Sequence, residues 1–300
     1  MRKRIVGMFF RRDRKLNTEI ADKVMSAGYG DAKVEFMLGE EGADDTYVPP
    51  TERWGDFRRM EFAVSIGGDG TFLRAARTVR DLGTPLYGIN AGRLGFLVSG
   101  KPENAVQDVK RILSGQYDLS TRSAIRCELL RRGVTAGEFC ALNEIVISKG
   151  PLSHPIDLSV SAGGETLYRL LADGIIISTP TGSTAYSLSA GGPVIHPDVK
   201  CILLAPICPH SLYARPVVMA ENEVIEISLS GESGEMFLSR DGLINMRLRK
   251  GDSARISLDD RGISMIKLDR SSYYNVLRKK LGWGRSSNYV KDETEHQNQL

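Results

Sequence analysis

The sequence is poor in the features that mark several classes of protein. Its 300 residues include only four cysteines, Cys127, Cys140, Cys201 and Cys208. Because they are scattered, they fit neither the close pairs of a zinc site nor the density of a disulfide scaffold, and we expect reduced thiols. The densest apolar runs, GIIIS and CILLAPIC, are far shorter than the roughly 18 residues of a membrane-spanning helix. We therefore expect no membrane partner.

The charge of the chain is nearly balanced. A formal net charge of +3 is too small to indicate a nucleic-acid partner, although a modest basic excess suits a phosphorylated substrate. The basic start, MRKRIVGMFFRRDRK, begins like a secretion signal, but its apolar run stops at Arg11. A secretion signal needs roughly 7 to 15 apolar residues, so this run predicts a first β-strand and a cytoplasmic protein.

The hydrophobic pattern changes near residue 117. Before it, strand-like and helix-like stretches alternate: RIVGMFF, KLNTEIADKVMSAG, KVEFML, FAVSI, FLRAARTVRDLG, PLYGIN and ENAVQDVKRILSG. This alternation predicts an α/β, Rossmann-like domain with a parallel sheet over residues 1–118. After it, stretches such as IRCELLRR, IDLSVSAGG and VIEISLSG have a two-residue period with glycine turns. They predict a β-rich, sandwich-like domain over residues 119–285.

Two polar stretches fall outside these patterns. Residues 39–56, GEEGADDTYVPPTERWGD, predict a mobile surface loop, with a lid over a site as the alternative. Residues 286–300 are polar and aperiodic, which predicts a disordered tail.

A glycine-rich turn follows the apolar run in VSIGGDGTFLRAARTV, residues 64–79. The pattern predicts a strand, a turn at its carboxyl end and a helix, which is where open α/β sheets bind ligands. Gly67, Gly68 and Gly70 would let backbone N–H groups approach a phosphate. Asp69 would repel that phosphate, so a chemical task is indicated, such as accepting a proton from an attacking hydroxyl. The alternative is that Asp69 only caps the helix.

Two further stretches indicate nucleotide binding. Residues 173–197, DGIIISTPTGSTAYSLSAGGPVIHP, are rich in small hydroxyl residues and glycines that can hydrogen-bond a base or a ribose. A Ser/Gly-rich loop without function is the alternative. In LNEIVISKG, residues 142–150, Asn143 and Glu144 can accept hydrogen bonds from ribose hydroxyls. Their alternative is a strand edge with polar ends.

Five blocks together resemble the NAD kinase family over about residues 5–280. They are GGDGT at 67–71, NAGRLGFL at 90–97, LNE at 142–144, the stretch 173–197, and LAPICPHSLYARPVV at 204–218. The resemblance implies transfer of the terminal phosphoryl group of ATP, in some members also of polyphosphate, to the 2′-hydroxyl of the adenosine ribose of NAD. Lipid kinases of the diacylglycerol and sphingosine type share GGDGT. The block STPTGSTAYSLSAGGP after LNE favours NAD kinase.

The resemblance also implies roles for single residues. Asp69 matches the proton acceptor, and Gly67, Gly68 and Gly70 lie near the phosphates. Asn143 and Glu144 match the pair that holds ribose hydroxyls. The loop around the adenosine and nicotinamide parts of NAD is matched by Thr181, Thr184, Ala185, Tyr186 and Ser189.

Three other matches concern charged or imidazole side chains. Asp173 matches a carboxylate that meets an amide or an adenine amino group. Arg74 falls near phosphate and His154 near the ligand, with an exposed helix charge and an ordinary surface histidine as the alternatives. The sequence departs from the family at Leu171, where many members have Arg, and at Leu243, where a polar residue is usual. Both departures concern the nicotinamide end.

Cofactor and assembly are implied in the same way. Mg²⁺ is expected to arrive with the nucleotide, and no dedicated metal ligands are visible. Family members are commonly homodimers or homotetramers in which a neighbouring subunit completes the pocket. Two alternatives to an NAD kinase remain at this point: a lipid kinase, which needs a membrane-facing surface that the sequence does not display, and a dinucleotide-binding regulator without catalysis.

Overall fold

The computed structural model describes residues 3–30, 32–41, 46–48, 54–229, 235–268 and 273–283. The helices within these ranges are α1 (Lys15–Ser26), α2 (Trp54–Phe57), α3 (Asp69–Arg80), α4 (Ala105–Leu113), α5 (Tyr186–Ser189) and α6 (Tyr273–Leu281). The strands of the first half are β1 (Arg4–Phe10), β2 (Val34–Leu38), β3 (Glu40–Glu41), β4 (Tyr47–Val48), β5 (Phe62–Gly67), β6 (Leu86–Asn90), β7 (Asp118–Arg131), β8 (Val134–Ala141) and β9 (Glu144–Lys149). Those of the second half are β10 (Ile156–Ala162), β11 (Glu165–Ala172), β12 (Gly174–Ser178), β13 (Cys201–Ile207), β14 (Val217–Ala220), β15 (Ile225–Leu229), β16 (Met236–Arg240), β17 (Leu243–Leu248) and β18 (Asp252–Lys267).

The first part of the chain forms parallel strands with helices on both faces. β1 pairs with β2 and β5, and β5 pairs with β6, all in parallel. Val6 and Met8 share a buried cluster with residues of α1 and α4, whereas Ile5 and Phe9 share one with residues of α3. Because both faces are covered, the strand reads as the continuous apolar run RIVGMFF.

β18 joins this sheet to the second half of the chain. It is parallel to β6, with Met265 opposite Leu86, and antiparallel to β7 along most of its length. The large sheet runs in the order β11-β10-β15-β18-β6-β5-β1-β2, with β7 beside β18 and β8 beside β7. It is therefore a mixed sheet that contains both parallel and antiparallel pairs.

A second, antiparallel sheet lies against the large one. Its strand order is β14-β13-β12-β9-β16-β17. Ile145 and Ile175 from this sheet share one buried cluster with Ile125 and Ile256 from the large sheet. The apolar side chains that alternate along the strands after residue 117 thus meet between two sheets.

Part of the stretch predicted as a mobile surface loop belongs to the core. Strand β3 pairs with β4. Tyr47 is buried, its ring stacks on Phe9 with 5.0 Å between the ring centroids, and its N–H donates to Thr78 Oγ1 at 2.8 Å. The surface-loop prediction is wrong for Tyr47, because its ring completes the cluster that includes α3. Residues 42–45 and 49–53 of this stretch and the predicted tail at 286–300 lie outside the described residues.

Candidate active site

The GGDG turn connects β5 to α3 at the carboxyl edge of the parallel strands. Gly67 has a φ of +155°, and a Cβ there would overlap the side chain of Thr71, so only glycine fits. Gly68 is the N-cap of α3 and has an extended backbone. Gly70 is exposed, with open space where a Cβ would stand. The free N–H groups of the first helical turn therefore lie at an edge that an anion can approach.

Asp69 is the first residue of α3, and the loop at residues 90–97 holds its carboxylate. Oδ2 accepts the N–H of Phe96 at 2.8 Å, and Oδ1 accepts the N–H of Leu97 at 3.2 Å. The capping alternative is wrong, because Gly68 is the N-cap and these two donors belong to another segment. Each carboxylate oxygen has a second lone pair, so Asp69 can still accept a hydrogen bond from a ligand.

A basic cleft of about 790 Å³ borders the glycine turn. Gly67, Gly68, Gly70, Thr71 and Arg74 form one wall. The segment after β1 forms the other with Arg11, Asp13, Arg14, Lys15, Leu16 and Asn17. Four basic side chains and one carboxylate thus line the cleft. A polyphosphate chain matches this charge, and the N-termini of α1 and α3 add partial positive charge.

Sequence reasoning missed the basic residues after β1. The run RRDRK served there only to mark the end of an apolar stretch. A signal was available, because β1 and β5 are parallel neighbours and their carboxyl ends meet at one edge. Arg74, expected near phosphate, does line the cleft, with its guanidinium carbon 5.5 Å from the Tyr47 ring centroid.

The predicted ribose-binding residues are interlocked with the TPTG segment. The Thr179 N–H donates to the carbonyl of Asn143 at 2.8 Å, and Thr179 Oγ1 donates to the carbonyl of Leu142 at 2.6 Å. A Cβ on Gly182 would overlap the Asn143 carbonyl, so glycine permits this approach. Glu144 opens β9 opposite Ser178 of β12. The structure therefore brings together two blocks that are about 35 residues apart in the sequence.

Glu144 is buried and incompletely hydrogen-bonded. Only 5% of the residue is exposed, and Oε2 has no hydrogen-bond partner among the described residues. Burial raises the pKa of Glu144 to about 8, the negative charge of Asp241 adds to the rise, and the backbone N–H of Tyr186 opposes it. A buried carboxylate oxygen without a donor is costly, so this atom is suited to a hydroxyl supplied by a ligand.

The remaining residues predicted to surround NAD lie between β12 and the end of α5. Thr181 is buried, and its Oγ1 also lacks a partner within the described residues. Thr184 Oγ1 donates to the Thr181 carbonyl at 3.3 Å. Tyr186 and Ser189, the ends of α5, are exposed, and Ala185 precedes the helix. The loop thus offers one buried free hydroxyl and several accessible groups beside Glu144.

Asp241, a buried aspartate that sequence reasoning did not single out, supports the backbone of residues 142–144. Asp241 Oδ1 accepts the N–H groups of Asn143 at 2.7 Å and Glu144 at 3.3 Å, and Oδ2 accepts that of Leu142 at 3.2 Å. Arg77 of α3 lies 3.3 Å from Oδ2. Burial raises the pKa of Asp241, but all four contacts donate to its carboxylate, so we assign it the ionised form.

Asp173 and His154 lie apart from this group. The β9–β12 ladder pairs Glu144 with Ser178 at one end and Ser148 with Gly174 at the other, about 13 Å away at the usual strand rise. Asp173 precedes Gly174, and its Oδ1 is 3.5 Å from Lys149 Nζ, which also donates to the carbonyl of Ser153, next to His154. The structure therefore groups these two residues with each other and not with Glu144.

Other features of the structure carry less information about the site. The most voluminous cavity described, about 1020 Å³, lies between the start of β7, residues 196–200 and β18, and no predicted site residue lines it. Among the described residues there is no group of three or more His, Cys, Asp or Glu side chains arranged to hold a metal ion. None of the helices that the structure describes is long and apolar enough to cross a membrane.

Comparison with known proteins agrees with this arrangement. The family model for the ATP-NAD kinase N-terminal domain matches residues 46–117, and that for the C-terminal domain matches residues 142–268. An NAD kinase of Symbiobacterium thermophilum is 38% identical over 263 residues, covering 88% of this chain and 92% of that protein. An NAD kinase of Azoarcus sp. is 42% identical over 242 residues, covering 81% of each.

Solved structures of an NADH kinase and an NAD kinase are also similar to this chain. A yeast NADH kinase complexed with NADH superposes with a TM-score of 0.83 at 25% identity, covering 94% of this chain and 89% of that chain. An NAD kinase from Archaeoglobus fulgidus in complex with ATP has a TM-score of 0.68 at 25% identity, covering 94% and 98%. Fold and site thus define a nucleotide-dependent phosphotransferase.

The chain belongs to the NAD kinase family. It is an enzyme that phosphorylates NAD with ATP, and the lipid-kinase and non-catalytic alternatives are not favoured.

Proposed function

We propose that the basic cleft binds the phosphates of ATP and that residues 142–144 and 179–189 bind NAD. The observation that carries the acceptor site is the buried Glu144 Oε2 without a hydrogen-bond donor among the described residues, because a ribose hydroxyl supplies one. Asn143 lies beside it and offers an amide that both donates and accepts. Thr181, Thr184, Ala185, Tyr186 and Ser189 surround the nucleoside.

In this proposal Asp69 receives the proton of the 2′-hydroxyl. The hydroxyl oxygen forms a bond to the terminal phosphorus of ATP while the bond from that phosphorus to the bridging oxygen of ADP breaks. The N–H groups of Phe96 and Leu97 fix the orientation of the Asp69 carboxylate. General-base assistance contributes about 10²- to 10⁴-fold, and holding the two substrates in line contributes more.

In this proposal the phosphates of the donor are bound by Gly67, Gly68, Gly70 and Arg74. These residues line the cleft that Arg11, Arg14 and Lys15 complete, and the glycine backbone and the Arg74 guanidinium would donate to the phosphates. These groups bind and orient the donor without a covalent intermediate. Polyphosphate has the same repeating anion, so the cleft does not by its charge exclude it as a donor.

Mg²⁺ is proposed to enter with the donor. Mg²⁺ typically keeps several waters and takes one or two carboxylates plus phosphate oxygens, so a dedicated cage of side chains is unnecessary. Phosphate oxygens of the donor and waters would supply most of its ligands, which leaves the Asp69 carboxylate to accept the proton. When bound, the ion would offset the negative charge of the donor phosphates.

A homodimer or homotetramer is proposed from the separation of Asp173 and His154 from Glu144. In such an assembly these two residues complete the nicotinamide end of a neighbouring subunit's pocket. Exposed apolar side chains stand near Asp173 on the edge strand β11 and in the loop after β13: Leu167, Leu171, Leu212 and Tyr213. A second copy of the chain would cover this surface.

The finer description of the fold and location is also a proposal. We propose a Rossmann-like domain over residues 1–118 and a sandwich-like NAD-binding domain over 119–285 in a cytoplasmic enzyme. The helices on both faces of the parallel strands and the cluster between the two sheets support this division.

Purified protein incubated with ATP, Mg²⁺ and NAD tests the proposed site when NADP is measured with an NADP-specific dehydrogenase. Glu144→Ala should weaken NAD binding, whereas Glu138→Ala, an exposed carboxylate on β8, should not. Equal NAD affinity in Glu144→Ala and the wild type would contradict the ribose assignment. Repeating the assay with polyphosphate and with NADH defines the donor and acceptor ranges.

A further inference from the structure

The ion pair between Arg77 and Asp241 connects the two halves of the proposed site. The side chain of Asp241 is fully buried, and that of Arg77 is 6% exposed. Arg77 belongs to α3, the helix that begins at Asp69, and it lies about 12 Å along that helix at 1.5 Å per residue. Asp241 binds the three consecutive N–H groups of residues 142–144. One carboxylate therefore joins the Asp69 helix to the backbone of the ribose-binding residues.

Turn chemistry alone does not account for this carboxylate. Arg240 pairs with Leu243, so Asp241 and Gly242 form a two-residue hairpin with φ values of +45° and +78°. Such turns accept Asn-Gly as readily as Asp-Gly. Asparagine, however, offers one acceptor oxygen and an NH₂ group, which would face N–H donors. A carboxylate is required only if all of these donors must be satisfied.

Apolar packing around the ion pair also holds α3 against residues 142–144. Leu142 is 1% exposed and shares a buried cluster with Phe72, Leu73 and Ala76 of α3 and with Leu97. Apolar packing alone permits sliding, whereas a charge-assisted contact with directional donors fixes orientation. The N–H of Asp241 also donates to the Glu144 carbonyl at 3.0 Å, so Asp241 both accepts hydrogen bonds from this backbone and donates one to it.

We propose that Arg77 and Asp241 are a positioning pair, which sets the place of Asn143 and Glu144 relative to Asp69. The pair does not touch substrate; it acts through the backbone of residues 142–144. This proposal rests on the proposed roles of Asp69, Asn143 and Glu144. A misplacement of about 1 Å between reacting groups can cost about 100-fold in rate, so a rigid link between these residues matters for turnover.

Asp241→Asn tests the pair, because it keeps the hairpin and the side-chain volume. We expect kcat/KM for NAD to fall about 10- to 100-fold, with KM for ATP little changed. The control is Asp252→Asn. Asp252 is 2% exposed and accepts from Arg131 at 2.7 Å and from the Arg249 N–H at 2.9 Å, but it lies beside the β7–β8 turn, away from residues 142–144. We expect Asp252→Asn to lower the melting temperature without changing the NAD parameters.

The pH profile supplies a readout that loss of stability would not move. Burial contributes most to the raised pKa of Glu144, and the groups that act on its carboxylate are the charge of Asp241, itself paired with Arg77, and the N–H of Tyr186. Removing the Asp241 charge lowers the pKa of Glu144, because a like charge is lost. Ionisation of Glu144 leaves both of its oxygens able to accept hydrogen bonds from ribose hydroxyls, so NAD affinity should rise as pH passes through the pKa of Glu144. This rise should shift to lower pH in Asp241→Asn and stay unshifted in Asp252→Asn.

Variants at Arg77 keep the proposal testable if Asp241→Asn does not fold. Arg77→Met removes the cation, and Arg77→Lys retains it. We expect Arg77→Lys to recover much of the kcat/KM for NAD that Arg77→Met loses. Equal loss of kcat/KM in both variants would count against a charge-mediated link.

The outcomes separate this proposal from the site assignment. If Asp241→Asn and Asp252→Asn lose stability alike and both keep wild-type NAD kinetics, the positioning pair is refuted while the site assignment stands. If Glu144→Ala leaves NAD affinity unchanged, the ribose assignment fails, and the positioning proposal fails with it. Weakened NAD binding in Glu144→Ala, together with the kinetic and pH changes in Asp241→Asn, supports both.

Discussion

Gly95 approaches Asp69 so closely that a side chain at position 95 would displace the carboxylate. A Cβ on Gly95 would overlap Asp69 Oδ1 and lie 2.5 Å from its Cγ. The following N–H groups, of Phe96 and Leu97, reach the carboxylate because this backbone carries no side chain. Asp69 is thus oriented by a glycine 26 positions later in the chain.

Gly95→Ala should lower kcat by about 100-fold, because the Asp69 carboxylate must move by roughly the distance that misaligns a reacting group. NAD affinity should be nearly unchanged. Gly92→Ala is the matched control, since Gly92 belongs to the same loop, is exposed, and a Cβ there would meet no other atom within 4 Å. Steady-state kinetics and NAD titration measure both. Equal kcat in the two variants would show that the close approach has no catalytic consequence.

Arg14→Ala should raise KM for ATP by about 10-fold, which corresponds to loss of one charge-assisted contact with phosphate. KM for NAD should stay near the wild-type value. Arg12→Ala is the control, because Arg12 is exposed in the same basic run but does not line the cleft. If both variants change KM for ATP equally, only the net charge of the segment matters. Unchanged KM for ATP in Arg14→Ala would remove this residue from the donor site.

Local sequence patterns predict the strands and helices that carry the site. They do not predict contacts between residues that are far apart in the sequence. GGDG spans the junction of a strand and a helix as predicted, because a β-branched run, glycines and an amphipathic stretch are all local signals. Asp241 contacts the N–H of Asn143 across 98 positions, and no local pattern encodes that pairing. The polar neighbours of Tyr47 predict a surface loop, although its own ring is buried against Phe9.

The same contrast applies to sheet order. The alternation before residue 117 predicts parallel strands, and β1, β2, β5 and β6 are parallel. β18 joins β6 from more than 160 positions away, so the mixed character of the sheet could not be read from either half alone. The roles of the site residues stay predictions, which the variants test.

Glu144→Gln should flatten the dependence of stability on pH. In the folded wild type the pKa of Glu144 is raised from 4.5 to about 8, so between these values the folded state holds a proton that the unfolded state has released. The free energy of unfolding of the wild type should therefore fall as pH rises through this window, with a slope approaching about 1.4 kcal/mol per pH unit from this group. Urea unfolding at pH 5.5 and pH 8 measures the difference. Parallel pH dependence in Glu144→Gln and the wild type would mean that Glu144 titrates normally.

Mixing two inactive variants tests whether subunits share a pocket. Asp69→Asn and Asp173→Ala should each lose activity alone. If Asp173 completes a neighbour's site, subunit exchange creates some pockets with both native residues, and partial activity should return. Co-purification of an untagged variant with a tagged one from the mixture checks that subunits exchange. No recovery despite proven exchange would place Asp173 in the pocket of its own chain or outside the site.

The central claim is that Asp69 accepts the proton of the 2′-hydroxyl, and Asp69→Asn tests it most directly. NADP formation from ATP, Mg²⁺ and NAD should be measured in single turnover, with NAD binding determined by titration on the same samples. We predict a rate lowered by about 10²- to 10⁴-fold with NAD affinity largely retained. A near-wild-type rate in Asp69→Asn would contradict this role and leave the carboxylate with a structural task at the 90–97 loop.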